Sequence, residues 1–186
     1  MEIKVAEYSD FERIAGLHAK SWQRFYSGIL SKAYLGEEVQ SERKIIWQTR
    51  LTNPPFNQAV YVIEEGGLLC GFVCGFGNHD FERGTIIDAL HVDDYFRGRG
   101  IGLTLLKAIA DWARQYFPHN GVYLEVLKGN QQAIDFYEHI GGQLAQERLW
   151  NAPCGTQVPE LVYTWPSPDV LYQQVDNLLQ RRLVTN

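Results

Sequence analysis

The sequence has little of what metal centres, disulfide scaffolds and covalent hydrolases require. Its three cysteines, Cys70, Cys74 and Cys154, are an odd number without a paired metal-ligand spacing, and its five histidines form no H-E-x-x-H pattern. A G-x-S-x-G nucleophile motif is also absent. We therefore expect no metal, and we interpret the cysteines as small buried hydrophobic residues in a reducing compartment.

A long hydrophobic segment and an excess of positive charge are missing as well. The longest apolar stretch, "GGLLCGFVCGFG", is interrupted by glycines and falls short of the roughly 18 residues of a membrane-spanning helix. The beginning, "MEIKVAEYSDFERI", lacks the basic region and apolar core of a signal peptide. The net charge of −5 disfavours a nucleic-acid partner. We expect a cytoplasmic protein with neither a nucleic-acid nor a membrane partner.

What is present predicts one globular domain with alternating strands and helices. Of the 186 residues, 45% are apolar and 21% are charged, as in ordinary soluble domains. "EIKVAEY" alternates like a strand, and Ser9 with Glu12 has the spacing of a capping box that starts a first helix. Gly28 ends that helix, Ser31 caps a second one, and Asn53-Pro54-Pro55 stops it.

The remainder of the chain predicts six more strands and three more helices. The strands are "AVYVIEE", "LLCGFVCGF", "TIIDALHV", "GVYLEVL", "GQLAQERLW" and "PELVYTW", with Gly66-Gly67 as a hairpin turn between the first two. A helix from about Gly100 to Phe117 presents Ile101, Leu105, Ile109, Trp112 and Tyr116 as its predicted buried face. "NQQAIDFYEHI" and "DVLYQQVDNLLQRRL" are the other helices, and Leu171, Val175, Leu178 and Leu179 form an apolar stripe on the last. This order predicts a mixed sheet in an α/β arrangement.

Three alternating glycines, Gly98, Gly100 and Gly102, stand where the third helix begins. Free backbone N–H groups at a helix start, without β-carbons in the way, can bind an anion. A dinucleotide-binding G-x-G-x-x-G does not fit, because Leu103 follows Gly102 and some 90 residues precede the turn. A P-loop G-x-x-x-x-G-K-[ST] does not occur.

The pattern Arg97-x-x-Gly100-x-Gly102, directly after a strand, resembles motif A of the GNAT superfamily of acyl-CoA-dependent N-acetyltransferases, whose signature is Gln/Arg-x-x-Gly-x-Gly/Ala. "YLEVLKGNQQAIDFYEHIGG" is similar to the family's motif B, a strand followed by an asparagine and a helix that bears a tyrosine. "LHAKSWQRFYSGILSKAYL" and "PELVYTW" also look like this superfamily, so the resemblance extends to about Trp165.

The resemblance implies a GNAT fold: a mixed, mostly antiparallel sheet splayed between two strands and flanked by helices. Residues 1–165 would form the N-acetyltransferase domain. Residues 166–186 would be a helical extension that packs on that domain or at a homodimer interface. The implied activity moves an acetyl group from acetyl-CoA to a primary amine of a small molecule or peptide, by direct attack in a ternary complex. A non-catalytic acyl-CoA-binding regulatory module is the alternative.

The resemblance also implies roles for individual residues on the acetyl-CoA side. The backbone of Leu90, His91 and Val92 would pair with the pantetheine, and an N–H near Val92 would polarise the thioester carbonyl. The pyrophosphate would lie on the turn formed by Arg97, Gly98, Arg99, Gly100, Ile101 and Gly102. Asn130 would contact the pantetheine, although helix capping alone also explains it. Tyr137 would contact the cofactor and protonate the leaving thiolate, although packing on the sheet is the plain alternative.

On the acceptor side the resemblance leaves choices open. Glu125 matches the catalytic glutamate of ribosomal-protein-acetylating members and Asp88 is the rival base, while a structural ion pair would equally explain Glu125. Trp22 and Tyr26 fall where family members line the acceptor pocket, and they are also a normal i,i+4 packing pair. The identity of the amine is not encoded in these motifs.

Overall fold

The computed structural model describes residues 1–185 of the chain. One seven-stranded sheet has the order β1-β2-β3-β4-β5-β7-β6. Its strands are β1 (Glu2–Val5), β2 (Gln58–Glu65), β3 (Leu68–Asp80), β4 (Gly84–Val92), β5 (Val122–Leu127), β6 (Gln143–Asn151) and β7 (Gln157–Trp165). The helices are α1 (Phe11–Phe25), α2 (Val39–Thr52), α3 (Ile101–Tyr116), α4 (Gln131–His139) and α5 (Pro168–Thr185). The predicted α/β class and element order are confirmed.

The start of the first helix differs from the prediction. A short 3-10 turn over Tyr8–Asp10 precedes α1, so Ser9 lies inside the turn and does not cap the helix. Asp10, which is 3% exposed, occupies the N-cap position of α1, but its carboxylate accepts the Glu7 N–H at 2.8 Å and the Arg13 guanidinium and so forms a capping box of the short turn instead of capping α1. The second predicted cap is confirmed: the Ser31 hydroxyl accepts the N–H of Tyr34 at 3.2 Å, ahead of α2.

The sheet opens between β4 and β5, its one parallel pair among the described residues. These strands pair only at Thr85–Val122, Ile86–Tyr123 and Ile87–Leu124. At Asp88 the register of β4 on β3 shifts, because Cys74 faces Ala89 while Gly75 faces Ile87. This bulge bends β4 away from β5. Beyond it β4 pairs only with β3, and β5 only with β7, so the predicted splay is confirmed.

Helix α3 packs on the sheet, but its buried face consists partly of other residues than those predicted. Ile101, Leu105 and Ile109 are buried as expected, whereas Trp112 is partly exposed and Tyr116 is 66% exposed. Leu106, Ala110 and Ala113 complete the buried face instead. The polar side of α3 is covered by α5, which explains why this helix has so little fully exposed surface.

Candidate functional site

The splay between β4 and β5 is the floor of a cavity of about 620 Å³. Such a volume is typical of a site for a small molecule or cofactor. Residues from both strands, from α1, α3 and α4, and from the glycine turn line it. The lining includes all but one of the predicted site residues: Trp22, Tyr26, Asp88, Leu90, His91, Val92, Arg97, Gly98, Gly100, Ile101, Gly102, Glu125, Asn130 and Tyr137. Arg99 is the exception, because its guanidinium pairs with Glu65 at 3.0 Å outside the lining.

The glycine turn forms one end of this cavity. Gly98 and Gly100 have φ of +76° and +82°, a left-handed conformation that L side chains rarely adopt, and Gly100 is the N-cap of α3. Gly102 already has helical geometry, and a β-carbon added there would lie 3.5 Å from Phe136, an ordinary contact. The first N–H groups of α3 have no partner within the helix and carry the positive end of its dipole. The turn therefore has the geometry of an anion site.

The backbone edges of the open strands form the middle of the cavity. Leu90, His91 and Val92 are bonded to β3 on one side and have no strand on the other. Their remaining N–H and C=O groups are free to bind an extended ligand in place of a neighbouring strand. The N–H of Asp93, which follows them, is used by the carbonyl of Cys70 at 2.9 Å.

Tyr137 and Asn130 project from α4 towards the same cavity. Asn130 caps α4, because its Oδ1 accepts the N–H of Ala133 at 3.2 Å, and it also lines the cavity. Among residues 1–185 no hydrogen-bond partner is found for the Tyr137 hydroxyl. Burial, together with the neighbouring Tyr26, raises the pKa of Tyr137 above its usual value. Tyr137 is therefore a protonated phenol whose O–H is available to a ligand.

This arrangement matches a known family over most of the chain. The model of the acetyltransferase (GNAT) family matches residues 19–142. The chain belongs to the GNAT family. The match ends before β6, so β6, β7 and α5 lie outside it.

Named relatives and a solved structure agree with this assignment. The peptidyl-lysine N-acetyltransferase YiaC of Escherichia coli is 34% identical over 110 residues, which cover 59% of this chain and 65% of YiaC, slightly less than two thirds of that relative. The probable N-acetyltransferase Rv2775 of Mycobacterium tuberculosis is 28% identical over 88% of this chain and 92% of its own length. The PaiA N-acetyltransferase of Thermoplasma acidophilum, solved with coenzyme A, has a TM-score of 0.65 at 17% identity and covers 86% of this chain and 98% of that one.

Two carboxylates of this GNAT protein, both in the lining of the cavity, share one guanidinium. Arg148 on β6 donates through Nη2 to Glu125 on β5 and through Nε to Glu160 on β7, at 2.8 Å in the second case. Both glutamates line the cavity, and Glu160 is only 5% exposed. Burial and the charge of Glu125 raise the pKa of Glu160, although Arg148 opposes this.

Asp88, the other candidate base, lies at the bulge of β4. Its Oδ2 accepts a hydrogen bond of 2.6 Å from Nη1 of Arg50 on α2, and both residues line the cavity. One carboxylate and one guanidinium form a neutral pair here. The charge environment of Asp88 thus differs from that of Glu125.

Aromatic rings and a buried cation also line the cavity. Trp22 packs edge-on against Tyr26 and Trp150 at centroid distances of 5.1 and 6.0 Å. The guanidinium of Arg43, a residue that is 8% exposed, lies 4.3 Å from the Trp22 ring centroid. Burial and the Glu160 carboxylate raise the pKa of Tyr26 to about 12, and Arg43 opposes the shift. Trp22 and Tyr26 thus line the cavity and also pack on each other.

Sequence reasoning missed four charged residues at this site: Glu160, Arg43, Arg50 and Arg182. One signal for Glu160 was available, because an acidic residue inside the apolar strand "PELVYTW" needs a buried partner. Arg43, Arg50 and Arg182 had no comparable signal, since charged residues at helical spacing usually face solvent. Within the described part of the chain, no cluster of three or more His, Cys, Asp or Glu could hold a metal ion, and no helix is long and apolar enough to cross a membrane.

Proposed function

We propose that this GNAT protein transfers an acetyl group from acetyl-CoA to a primary amine of a small molecule or peptide, by direct attack in a ternary complex. One observation carries the proposal: the splay between β4 and β5 joins the glycine turn, the free strand edge and Tyr137 in a single cavity. An elongated ligand with an anionic end and an amide-containing arm fits this sequence of sites.

The donor side follows from the order of these sites. The N–H groups at the start of α3, with Arg97 beside them, would hold the pyrophosphate of CoA. The unpaired edge of Leu90, His91 and Val92, together with Asn130, would hold the pantetheine arm. The bound donor would supply an activated thioester at the end of the cavity lined by Trp22, Tyr26 and Glu160, which we call the acceptor end. A backbone N–H near Val92 would stabilise the negative charge that develops on the carbonyl oxygen.

Proton transfers at the acceptor end need an acid and a base. Tyr137, kept protonated by its raised pKa, would donate its proton to the departing thiolate. An amine arrives protonated and must lose one proton before it attacks, which a carboxylate at this end of the cavity would accept; the nitrogen loses a second proton when the amide forms, which would restore the Tyr137 phenol. Glu125 and Asp88 are the candidates named above, and Glu160 joins them because it shares Arg148 with Glu125.

The acceptor is the open part of this proposal. YiaC is named as a peptidyl-lysine N-acetyltransferase, which makes a lysine side chain in a peptide the first acceptor to test. We further propose that residues 1–165 form the acetyltransferase domain and that residues 166–186 are an extension packed on it, because α5 lies along α3 of the same chain.

Two measurements test the function. Thermal shift with acetyl-CoA, CoA and ATP should show stabilisation by the two CoA species and not by ATP. Release of free thiol should then be followed with acetyl-CoA and a panel containing a lysine peptide, a peptide with a free N-terminus, spermidine and free amino acids. Turnover with at least one amine is expected. Stabilisation by CoA without thiol release on any of these amines would instead favour a non-catalytic acyl-CoA-binding module. No stabilisation by CoA or acetyl-CoA would overturn both the acetyltransferase and the acyl-CoA-binding module.

A further inference from the structure

Two buried side chains of opposite charge line the same cavity. Glu160 is 5% exposed and Arg43 is 8% exposed, and both belong to the lining. Among the residues that the structure describes, Arg43 is the only buried arginine or lysine. Burying a charge is costly unless the charge is paired, so the partners of these two groups decide what the cavity presents to a ligand.

Both partners lie outside the lining of the cavity. Nε of Arg148 donates to Glu160 at 2.8 Å, and Nη2 of Arg43 donates to Oε1 of Glu42 at 2.9 Å. Neither Arg148 nor Glu42 lines the cavity. Each ion pair therefore orients its buried member from outside, and the cavity itself receives a carboxylate from one pair and a guanidinium from the other.

The guanidinium of Arg43 is only partly used by the protein. A guanidinium has five N–H donors, and the Nε–H of Arg43 has no hydrogen-bond partner among the described residues. Its carbon lies 4.3 Å from the centroid of the Trp22 ring, which packs against the flat face of the group and makes no hydrogen bond with its edge. A buried donor without a partner is uncommon in native proteins and calls for a group that the chain itself does not supply. Arg50, in contrast, donates to Asp88 within the lining at 2.6 Å.

The two charges act on the same part of the cavity. Besides burial, the Glu160 carboxylate raises the pKa of the Tyr26 phenol, whereas the Arg43 guanidinium lowers it. Both charges are therefore close to Tyr26, at the acceptor end. A ligand with an ammonium group and a carboxylate complements this pair of opposite charges.

We propose that Arg43 determines acceptor specificity by binding a carboxylate of the acceptor, which makes the acceptor a free amino acid. This inference rests on the proposed function, because it assumes that the cavity accepts an amine. The ammonium group would face Glu125 and Glu160, and the carboxylate would take the unused donors of Arg43. A polyamine would instead bring a further positive charge towards Arg43 and be disfavoured.

The parent chain tests this inference through matched acceptors. Thiol release from acetyl-CoA is measured with L-methionine, L-lysine and 4-aminobutyrate, each beside its own carboxamide, and with spermidine. The carboxamide keeps the shape and removes the charge. We expect kcat/KM to be at least about tenfold higher for the carboxylate than for the carboxamide in the best pair, and lower for spermidine than for that carboxylate. Equal or faster turnover of every carboxamide would overturn the inference.

Variants of α2 then test Arg43 itself. R43Q should lower kcat/KM for the best carboxylate by about 100-fold and leave its carboxamide within about fivefold, while R43K should lose less than R43Q. K44Q is the control, because Lys44 is exposed and pairs with Glu12 outside the cavity lining, and it should change both acceptors by less than about twofold. Melting temperatures and the Kd of CoA show whether each variant is folded. An equal loss for carboxylate and carboxamide in R43Q would show that Arg43 acts only by packing on Trp22.

A binding measurement separates this inference from the proposed function. The three carboxylates are titrated by calorimetry into the CoA-saturated parent chain and into CoA-saturated R43Q. At least one should bind the parent, and its binding to R43Q should be weaker by at least about tenfold. Failure of the parent to bind CoA would overturn the proposed function. Binding of CoA with no binding of any carboxylate, or with equal binding by R43Q, would overturn the inference about Arg43 alone.

Discussion

Nε of Arg148 lies 2.8 Å from a carboxylate oxygen of Glu160, on neighbouring strands that are paired at these two residues. The same guanidinium bonds Glu125, so two carboxylates share one positive charge and the group carries one excess negative charge. Asp88 with Arg50, in contrast, forms a neutral pair. A group with an excess negative charge accepts a proton more readily than a neutral pair does. We therefore propose the glutamate pair as the proton acceptor.

The first prediction concerns the pH–rate profile. Burial and the charge of Glu125 raise the pKa of Glu160, so the rate should fall as the pH falls through a value above the usual carboxyl range. E125Q and E160Q each remove the excess charge, and each should lower kcat/KM by about 100-fold and abolish this acidic limb. Assays of kcat/KM between about pH 5 and about pH 9 provide the measurement.

D88N is the matched control for these two variants. It neutralises a carboxylate that lines the same cavity and is also paired to an arginine, although this pair has no excess charge. The acidic limb should remain in this variant. Retention of the limb in both glutamine variants, with its loss in D88N, would assign the base to Asp88 instead.

The second prediction concerns Tyr137 as the general acid. Replacing it by phenylalanine keeps the ring in the cavity and removes only the proton donor. Tyr137→Phe should lower kcat by about 100-fold and change the Kd of CoA by less than about threefold. Tyr163→Phe is the control, because this neighbouring phenol, 6.5 Å away between ring centroids, donates to Glu138 and does not line the cavity. Full turnover by Tyr137→Phe would remove the assignment.

The local patterns of the sequence predicted most of the fold. The strands β1 to β3, the Gly66-Gly67 hairpin and the Ser31 cap depend on neighbouring residues, and all are present in the structure. The prediction of the buried face of α3 was wrong at Trp112 and Tyr116, because this face also depends on α5, some 60 residues later in the chain. Periodicity within one helix does not reveal which of its sides a distant helix will cover.

The sequence predicted the functional site about as fully as it predicted the fold. Residues of the glycine turn and α4 belong to short motifs, and the structure brings them to one cavity. Glu160 and Arg148 meet Glu125 only because β7 lies between β5 and β6 in the sheet, although β6 comes first in the chain. Arg182 reaches the turn through the antiparallel docking of α5. Such partners follow from topology, which local patterns do not specify.

The third prediction is that alanine substitutions at two glycines of the turn have different effects. Gly100 has φ of +82°, and an alanine there should destabilise the fold by about 1 kcal/mol and weaken CoA binding at least about tenfold, because the free N–H groups would move. Gly102 has helical φ and room for a methyl group beside Phe136, so Gly102→Ala should bind CoA within about threefold of the parent chain. Calorimetry with CoA and urea unfolding measure both effects. Equal weakening by the two substitutions would contradict this account of the turn.

The last prediction concerns stability in mild acid. His91 packs between Phe72 and His18, and burial, reinforced by the charges of Arg43 and Arg97, lowers its pKa to about 3. The unfolded chain, with a histidine pKa near about 6.5, then binds more protons than the folded one between these two values. The contribution of neutral His91 is thus complete above about pH 6.5 and is lost progressively below it, by about 1.4 kcal/mol between pH 7.5 and 5.5.

Urea unfolding of the parent chain at these two pH values gives the total loss, and His91→Gln should reduce that loss by about 1.4 kcal/mol whatever its effect on absolute stability. His119→Gln, which alters an exposed histidine, is the matched control and should leave the loss unchanged. Burial and the neighbouring His91 also lower the pKa of His18. Its Nδ1 accepts the indole N–H of Trp47 at 3.0 Å. Part of the acid sensitivity should therefore remain in His91→Gln. An identical pH dependence in parent and His91→Gln would show that His91 is not the group that resists protonation.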